Sequence, residues 1–284
     1  YNLKTTWDMM LEDGVNRIIF HTQVHQPWPA DVVPGMTMGP HGIQMNRNNT
    51  WYSQSGAWID HWARAQYVLQ QGRFVADLCY VASEDVPQAP GNRNELSPIP
   101  PEGYDYDMLY SGLVMQMSVK EGRLVLPSGM SYRVLVLPDN DHMRPAHLEK
   151  IKQLVDAGAV VYGTKRVIGS PSLQDQPAAD EKVQALAREL WDGNRVNAGK
   201  TLAEVLTEKG IQRDFMVKAS SGNEPLEIRS LHRQVGQDEV YFVANQQEKA
   251  VSADCTFRAV GRVELWYPET GRVVKQTAHT PAGK

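Results

Sequence analysis

The sequence predicts an α/β protein that passes into antiparallel β structure toward its C-terminus. Three observations carry that expectation. Near the N-terminus, helical spacing, a strand-like run, a long loop and a second helical pattern follow one another. Between about residues 73 and 213, continuous apolar runs alternate with amphipathic stretches, as in a parallel sheet covered on both faces. From about Asp214 the apolar period falls to two, with turn residues between short runs.

The elements follow in order. Leu3, Trp7, Met10 and Leu11 share one face of a helix over 3–13, and Gly14 is its stop. "VNRIIFHTQV" (15–24) is rich in β-branched and aromatic residues and predicts a strand. Residues 25–54, with Pro27, Pro29, Pro34 and Pro40, form a long loop of the kind usually kept for function. A helix follows, with Ser55 as N-cap, Trp58, Trp62, Ala65 and Leu69 as its apolar stripe, and Gly72 at its end. This helix–strand–loop–helix order has the rhythm of an α/β barrel or a doubly wound sheet.

"RFVADLCYVAS" (73–83) reads as a buried strand, and 104–119 as a helix. Tyr132 to Leu137 is a strongly apolar strand. Pro145 suits a first helical turn; Leu148, Ile151, Leu154 and Val155 are the buried face, Gly158 the stop, and "AVVYG" the next strand. Two helices are expected around 178–191 and 202–209. Short strands are expected in "DFMVKAS", "LEIRSLHRQV", "EVYFVANQQ", "ADCTFRAV" and "RVELWYPETGRVVK", opening a β-sandwich.

The composition narrows the function classes. The chain is 42% apolar and 22% charged, with a net charge of −4, which gives no reason to expect nucleic acid or an anionic membrane. No apolar run approaches the roughly 18 residues of a spanning helix. Cys79 and Cys255 form neither a disulfide framework nor a metal spacing. Tyr1 is not an initiator and the chain ends soon after a strand, so it reads as a piece of something longer, with its compartment and oligomeric state open.

The chemistry concentrates after the first expected strand. His21, Gln23 and His25 alternate onto one face of the strand end, and Trp28, Trp51 and Tyr52 lie in the loop beyond. Imidazole and amide groups donate to and accept from sugar hydroxyls, while aromatic rings cover a pyranose face. A metal held by His21 and His25 and ordinary hydrogen-bonded histidines are the competing readings. The metal reading lacks a third ligand at a recognisable spacing, so no metal is expected. Glycoside hydrolysis needs two carboxylates, and no pair announces itself. Asp8, Glu12 and Asp13 sit on the helix before the strand and point away from the site end. Asp31 suits a turn, and Glu84 and Asp85 suit a cap.

The stretch 15–86, from "GVNRIIFHTQVHQPWPADVVPGM" to "CYVASEDVP", resembles the late catalytic region of glycoside hydrolase family 106, the α-L-rhamnosidases. "LPSGMSYRVLVLPDNDHMRPAHLEKIKQLVDAGAVVYG" resembles the glutamine-amidotransferase-like domain that follows, and "EVYFVANQQ" with "VELWYPETG" its β-rich C-terminal part. The resemblance implies three parts: the last unit of a (β/α)8 barrel in 1–72, an amidotransferase-like α/β domain in 73–213, and an incomplete antiparallel β-sandwich in 214–284. It implies removal of terminal rhamnose from a glycan by an inverting pair of carboxylates, expected upstream of Tyr1. His21, Gln23, His25, Trp28, Trp51 and Tyr52 carry over as pocket wall. No cofactor is expected; calcium belongs at most to the longer parent, which the resemblance implies is secreted or periplasmic. The alternatives are a non-catalytic carbohydrate-binding or structural module, a metal hydrolase on His21 and His25, and an amidotransferase-like enzyme, for which Cys79 inside a strand is ill placed.

Overall fold

The structure, a computed structural model, describes residues 3–21, 23–41, 45–84, 92–222 and 224–275. Its elements run α1 (Leu3–Glu12), α2 (Gly56–Leu69), β1 (Arg73–Phe74), β2 (Leu78–Val81), β3 (Tyr106–Leu109), α3 (Ser111–Val114), β4 (Ser118–Lys120), β5 (Arg123–Val125), β6 (Ser131–Tyr132), β7 (Val134–Val136), α4 (Pro145–Asp156), β8 (Val160–Tyr162), α5 (Ala178–Ala187), α6 (Leu202–Glu208), β9 (Phe215–Ala219), β10 (Ile228–Val235), β11 (Asp238–Asn245), β12 (Ala253–Phe257), β13 (Glu264–Tyr267) and β14 (Arg272–Lys275). It is a mixed α/β structure with parallel and antiparallel sheets. Contacts divide it into two compact units: residues 1–72, 227–251 and 260–284, and residues 73–226 and 252–259.

The second unit is built on a parallel sheet of order β3-β2-β7-β8. Its strands are buried on both faces, so they read as apolar runs rather than alternations. Cys79, Val81, Leu135 and Val161 face the cluster that includes Leu148, Ile151 and Leu154 of α4. Leu78, Tyr80, Val134, Val136 and Tyr162 face Leu202, Val205 and Leu206 of α6. Helix α4 is as the spacing predicts, with Pro145 in its first turn and Gly158 at φ +96° beyond its end. Thr201 caps α6, accepting from the Glu204 N–H at 3.3 Å, while the Glu204 carboxylate takes the Thr201 N–H at 2.7 Å.

Two sequence expectations fail here. The helix expected over 104–119 is instead β3, one short turn of helix and β4. Parallel pairing of Tyr106–Leu109 with Leu78–Val81 overrides the helical spacing. The strand expected over 132–137 is split: Leu124 pairs with Tyr132, whereas Val134 pairs with Leu78 and Val160. The break falls at Arg133, whose N–H donates to the Asp77 carbonyl at 2.8 Å.

The first unit holds α1, α2 and two antiparallel hairpins, β10–β11 and β13–β14. Here the strand expected over 15–24 is absent. Its described residues belong to no strand and have no ladder partner among the described residues, and Ile19 is 85% exposed. Helix α1 forms and stops at Gly14, yet its buried positions are Asp8, Leu11 and Glu12, while Met10 is exposed. Ser55 does precede α2, but its hydroxyl donates to the Tyr52 carbonyl at 2.7 Å instead of capping the helix. Gly72, at φ +61°, is obligatory: a Cβ there would lie 1.9 Å from the Gln234 carbonyl oxygen. The strands expected after residue 214 all form, as the pairs β9–β12, β10–β11 and β13–β14.

Candidate functional site

The loop after α1 folds back on itself through amide side chains. The Gln26 carboxamide accepts from the Met36 N–H at 3.1 Å and donates to the Met36 carbonyl at 2.6 Å. Asn48 Nδ2 donates to Gln26 Oε1 at 3.2 Å and to the Pro34 carbonyl at 2.9 Å. Gly35 makes this clamp possible, since a Cβ there would lie 2.2 Å from Gln26 Oε1. Asn46 is buried, and its side-chain oxygen takes the Asn48 N–H at 2.9 Å, a local turn that asparagine favours. The next residue, Arg47, donates from Nη2 to the Trp28 carbonyl at 2.6 Å.

Between the two stitched segments lies an open hollow of about 540 Å³, lined by Gln23, Val24, His25, Gln26, Asn46, Arg47 and Tyr52. Small-molecule sites commonly have roughly 300–1,000 Å³. Among the described residues, the side chains of Gln23, His25 and Tyr52 make no hydrogen bond, and all three residues line the hollow. The lining contains one formal charge, Arg47, and no carboxylate.

Three of the six residues singled out in the sequence, Gln23, His25 and Tyr52, therefore line one concavity. His21, Trp28 and Trp51 do not. Trp28 contributes its carbonyl to Arg47, and Trp51 sits edge-on to Trp58 with ring centroids 6.3 Å apart. His21 is exposed on the unpaired stretch, so no strand face aligns it with His25. Sequence reasoning missed Asn46 and Arg47. Their signal was the asparagine-rich "MNRNN", a turn composition lying just before Trp51 and Tyr52.

The remaining candidates resolve into structure. Among the described residues, no three His, Cys, Asp or Glu side chains converge to hold a metal ion. Glu84 is a cap: its carboxylate takes the Arg144 N–H at 2.7 Å at the start of α4. Asp31 lies in an exposed turn, and Asp85 lies outside the described residues. Cys79 is fully buried in β2; burial, helped by the Asp107 charge, pushes its thiol well above the ordinary range, which makes it inert.

Asp8 and Glu12, expected from the sequence to point away from the site end, are buried on α1 together with His61 of α2. Asp8, Glu12 and His61 are 2%, 5% and 6% exposed. Burial pushes the Glu12 carboxyl up to about 8, against the opposing pull of Arg229 at 3.8 Å and of Gln246, which donates to it at 2.8 Å. Burial would raise Asp8 too, but the His61 ring at 3.8 Å and the Lys4 ammonium hold it below its ordinary value.

Comparison with known proteins points to glycoside hydrolases. The glycoside hydrolase family 106 model, described as alpha-L-rhamnosidase, matches residues 1–279. A solved rhamnosidase structure from Novosphingobium sp. PP1Y superposes with a TM-score of 0.82 at 31% identity, covering 96% of this chain and 27% of that one. A protein of Formosa agariphila named a putative beta-glucuronidase is 35% identical over 274 residues, 96% of this chain and 23% of the relative. The chain thus spans about a quarter of the length of the relatives it matches.

Proposed function

The chain belongs to glycoside hydrolase family 106, the α-L-rhamnosidases, and from that premise we propose that its hollow forms part of the wall that holds a terminal rhamnose during hydrolysis. The observation that carries this reading is that Gln23, His25 and Tyr52, whose side chains make no hydrogen bond among the described residues, line one concavity with the aliphatic Val24. Rhamnose presents three ring hydroxyls and a methyl group. Amide, imidazole and phenol suit the hydroxyls, and Val24 offers apolar surface to the methyl. The substrate class is a rhamnose-terminated polysaccharide or glycoside.

The proposed reaction is inverting displacement at the anomeric carbon, with one carboxylic acid protonating the leaving oxygen and one carboxylate activating water. The lining residues supply neither group. They bind and orient the sugar, and the acid and base come from elsewhere in the enzyme. In the same reading, residues 1–72 complete a (β/α)8 barrel, 73–213 form an amidotransferase-like domain with no nucleophile, and 214–284 open a β-sandwich. The sheet order β3-β2-β7-β8 and the inert Cys79 support the second of these assignments.

The test is binding of L-rhamnose to the purified 284-residue chain, followed by saturation-transfer NMR, alongside rhamnose release from an aryl α-L-rhamnoside. The expected result is binding that weakens about tenfold in His25→Ala, the cost of one or two lost hydrogen bonds, and no release of sugar by the chain alone. Absence of rhamnose binding overturns the wall assignment. Release of rhamnose by the chain overturns the placement of acid and base elsewhere.

A further inference from the structure

The second unit is closed where its topology calls for an opening. Strand β2 pairs with β3 on one side and with β7 on the other, all parallel, so the chain leaves β2 toward one edge and returns on the opposite side. In doubly wound sheets the crevice outside the carboxyl ends of two such strands is the usual ligand site. Here the segments after β2 and β7, with Ala82, Glu84, Pro138 and His142, border a cavity of only about 10 Å³, room for roughly one water.

A carboxylate occupies this place. The Glu84 side chain is 6% exposed. Its Oε2 accepts the N–H of Arg144, the residue before α4, at 2.7 Å. Its Oε1 accepts Arg144 Nε at 2.5 Å and lies 2.5 Å from Nδ1 of His147 in the first turn of α4. A backbone amide at a helix N-terminus, a guanidinium and an imidazole form a donor set suited to a two-oxygen anion. An ordinary cap is supplied by the helix's own first residue. At α4 that residue is Arg144, whose side chain caps nothing, and the acceptor comes from 60 positions earlier in the chain. Glu84 therefore reaches α4 as a ligand would, from outside the helix it satisfies.

We propose that the second unit holds a carboxylate-binding site at the switch point of its sheet, formed by the Arg144 amide, the Arg144 guanidinium and His147, and that the protein's own Glu84 is its resident ligand. The side chain closes the site to outside molecules and ties the exit of β2 to the start of α4. Shortening it opens the site to a free carboxylate of the size of formate or acetate. An entry path exists, because the Arg144 side chain is 54% exposed. This inference is independent of the rhamnosidase reading, which rests on the other unit.

The experiment follows thermal unfolding of the intact protein, unmodified and as Glu84→Ala, in sodium formate, acetate, phosphate or chloride at matched ionic strength. Glu84→Ala should lower the unfolding midpoint in chloride. Formate or acetate should restore about half of that loss or more, saturably, because a ligand that binds only the folded state stabilises it. The unmodified protein should respond to formate no more than to chloride, and so should Glu84→Gln, whose amide still fills the space. A variant that loses nothing, or a loss that the carboxylates restore no better than chloride, overturns the site and leaves Glu84 a plain cap. Recovery with phosphate alone overturns the carboxylate assignment. An equal response to formate in the unmodified protein overturns the role of Glu84 as the resident ligand. If Glu84→Ala does not fold in chloride, refolding it from urea gives the same reading: recovery of soluble protein in formate supports the proposal, and recovery in neither salt overturns it.

Discussion

Two short runs in this chain look alike and end differently. Val134, Leu135 and Val136 are three consecutive apolar residues, and so are Ile18, Ile19 and Phe20. The first run is β7, each residue fully buried, with β2 on one side and β8 on the other. The second belongs to no strand and has no ladder partner among the described residues, with Ile19 85% and Phe20 42% exposed. Both runs are apolar throughout, so apolar character alone did not decide between them. What differs is the presence of strand neighbours: the Ile18 N–H donates to Gln66 Oε1 at 2.6 Å and the Phe20 ring lies 5.7 Å from that of Trp62, but among the described residues no strand flanks the run. β-propensity describes fitness for such a surface, not its presence.

The largest effect should come from the ion that pins β7 in place. The Asp77 carbonyl takes the N–H groups of Arg133 and Val134 at 2.8 and 3.0 Å. Its carboxylate, 1% exposed, pairs with Arg258 Nη1 at 2.8 Å, and Arg258 also reaches Asp214 at 3.1 Å. Arg258→Ala leaves a buried carboxylate without its closest cation, which costs about 3–5 kcal/mol. Urea unfolding should show that loss, with faster amide exchange at 134–136. A cost below about 1 kcal/mol would mean that the sheet does not need its anchor, and the comparison would lose its cause.

A pair of truncations sharpens the contrast. Leu135→Ala removes a fully buried side chain and should cost about 3 kcal/mol, the transfer and cavity cost of a well-packed site. Ile19→Ala removes the same kind of side chain from an exposed position and should stay within about 0.5 kcal/mol. Denaturant midpoints decide it. Equal losses would show that Ile19 is covered in solution, and residues 18–20 would then belong with β7 after all.

The same distinction explains what the sequence could disclose. Helix α4 was legible to the residue: Pro145, the Leu148–Ile151–Leu154 spacing and Gly158 are local signals, and the partners of its apolar face lie within the described residues. The hairpins after residue 214 were legible for a similar reason, since β10 and β11 are joined by a two-residue turn. Residues 104–109 misled because tyrosine, methionine and leucine are compatible with either period, and the parallel partner β2 lies far back in the chain. For the site, aromatic and imidazole types pointed to the right loop but not to its members. His25 and Tyr52 met at the hollow, whereas Trp28 gives its carbonyl to Arg47 and is itself 44% exposed, and the Trp51 ring sits edge-on to Trp58. Asn46 and Arg47 were invisible because nothing local marks them as lining a hollow.

Helices α1 and α4 make the comparison once more, now with charge. The buried face of α4 is Leu148, Ile151 and Leu154; that of α1 is Asp8, Leu11 and Glu12. An apolar face is indifferent to pH, but Glu12 is not. Its carboxyl sits at about 8 in the folded protein against 4.5 for the free group, so the folded state holds the proton more tightly. The stability this confers is complete below pH 4.5 and is lost as pH rises toward 8. Between these values the slope is about 1.4 kcal/mol per pH unit, so moving from pH 6 to pH 8 should cost about 2 kcal/mol. Asp8 is held below its ordinary value, so its contribution is lost only on acidification below about pH 4 and does not overlap this window. Glu12→Gln keeps the shape and cannot ionise, so its stability should be nearly level from pH 6 to pH 8 and should exceed that of the unmodified chain at the upper end. Urea midpoints for both proteins at the two pH values test this. A decline with pH that persists undiminished in Glu12→Gln would show that Arg229 and Gln246 already hold Glu12 as a carboxylate, and that the polar face of α1 is as indifferent to pH in this range as the apolar face of α4.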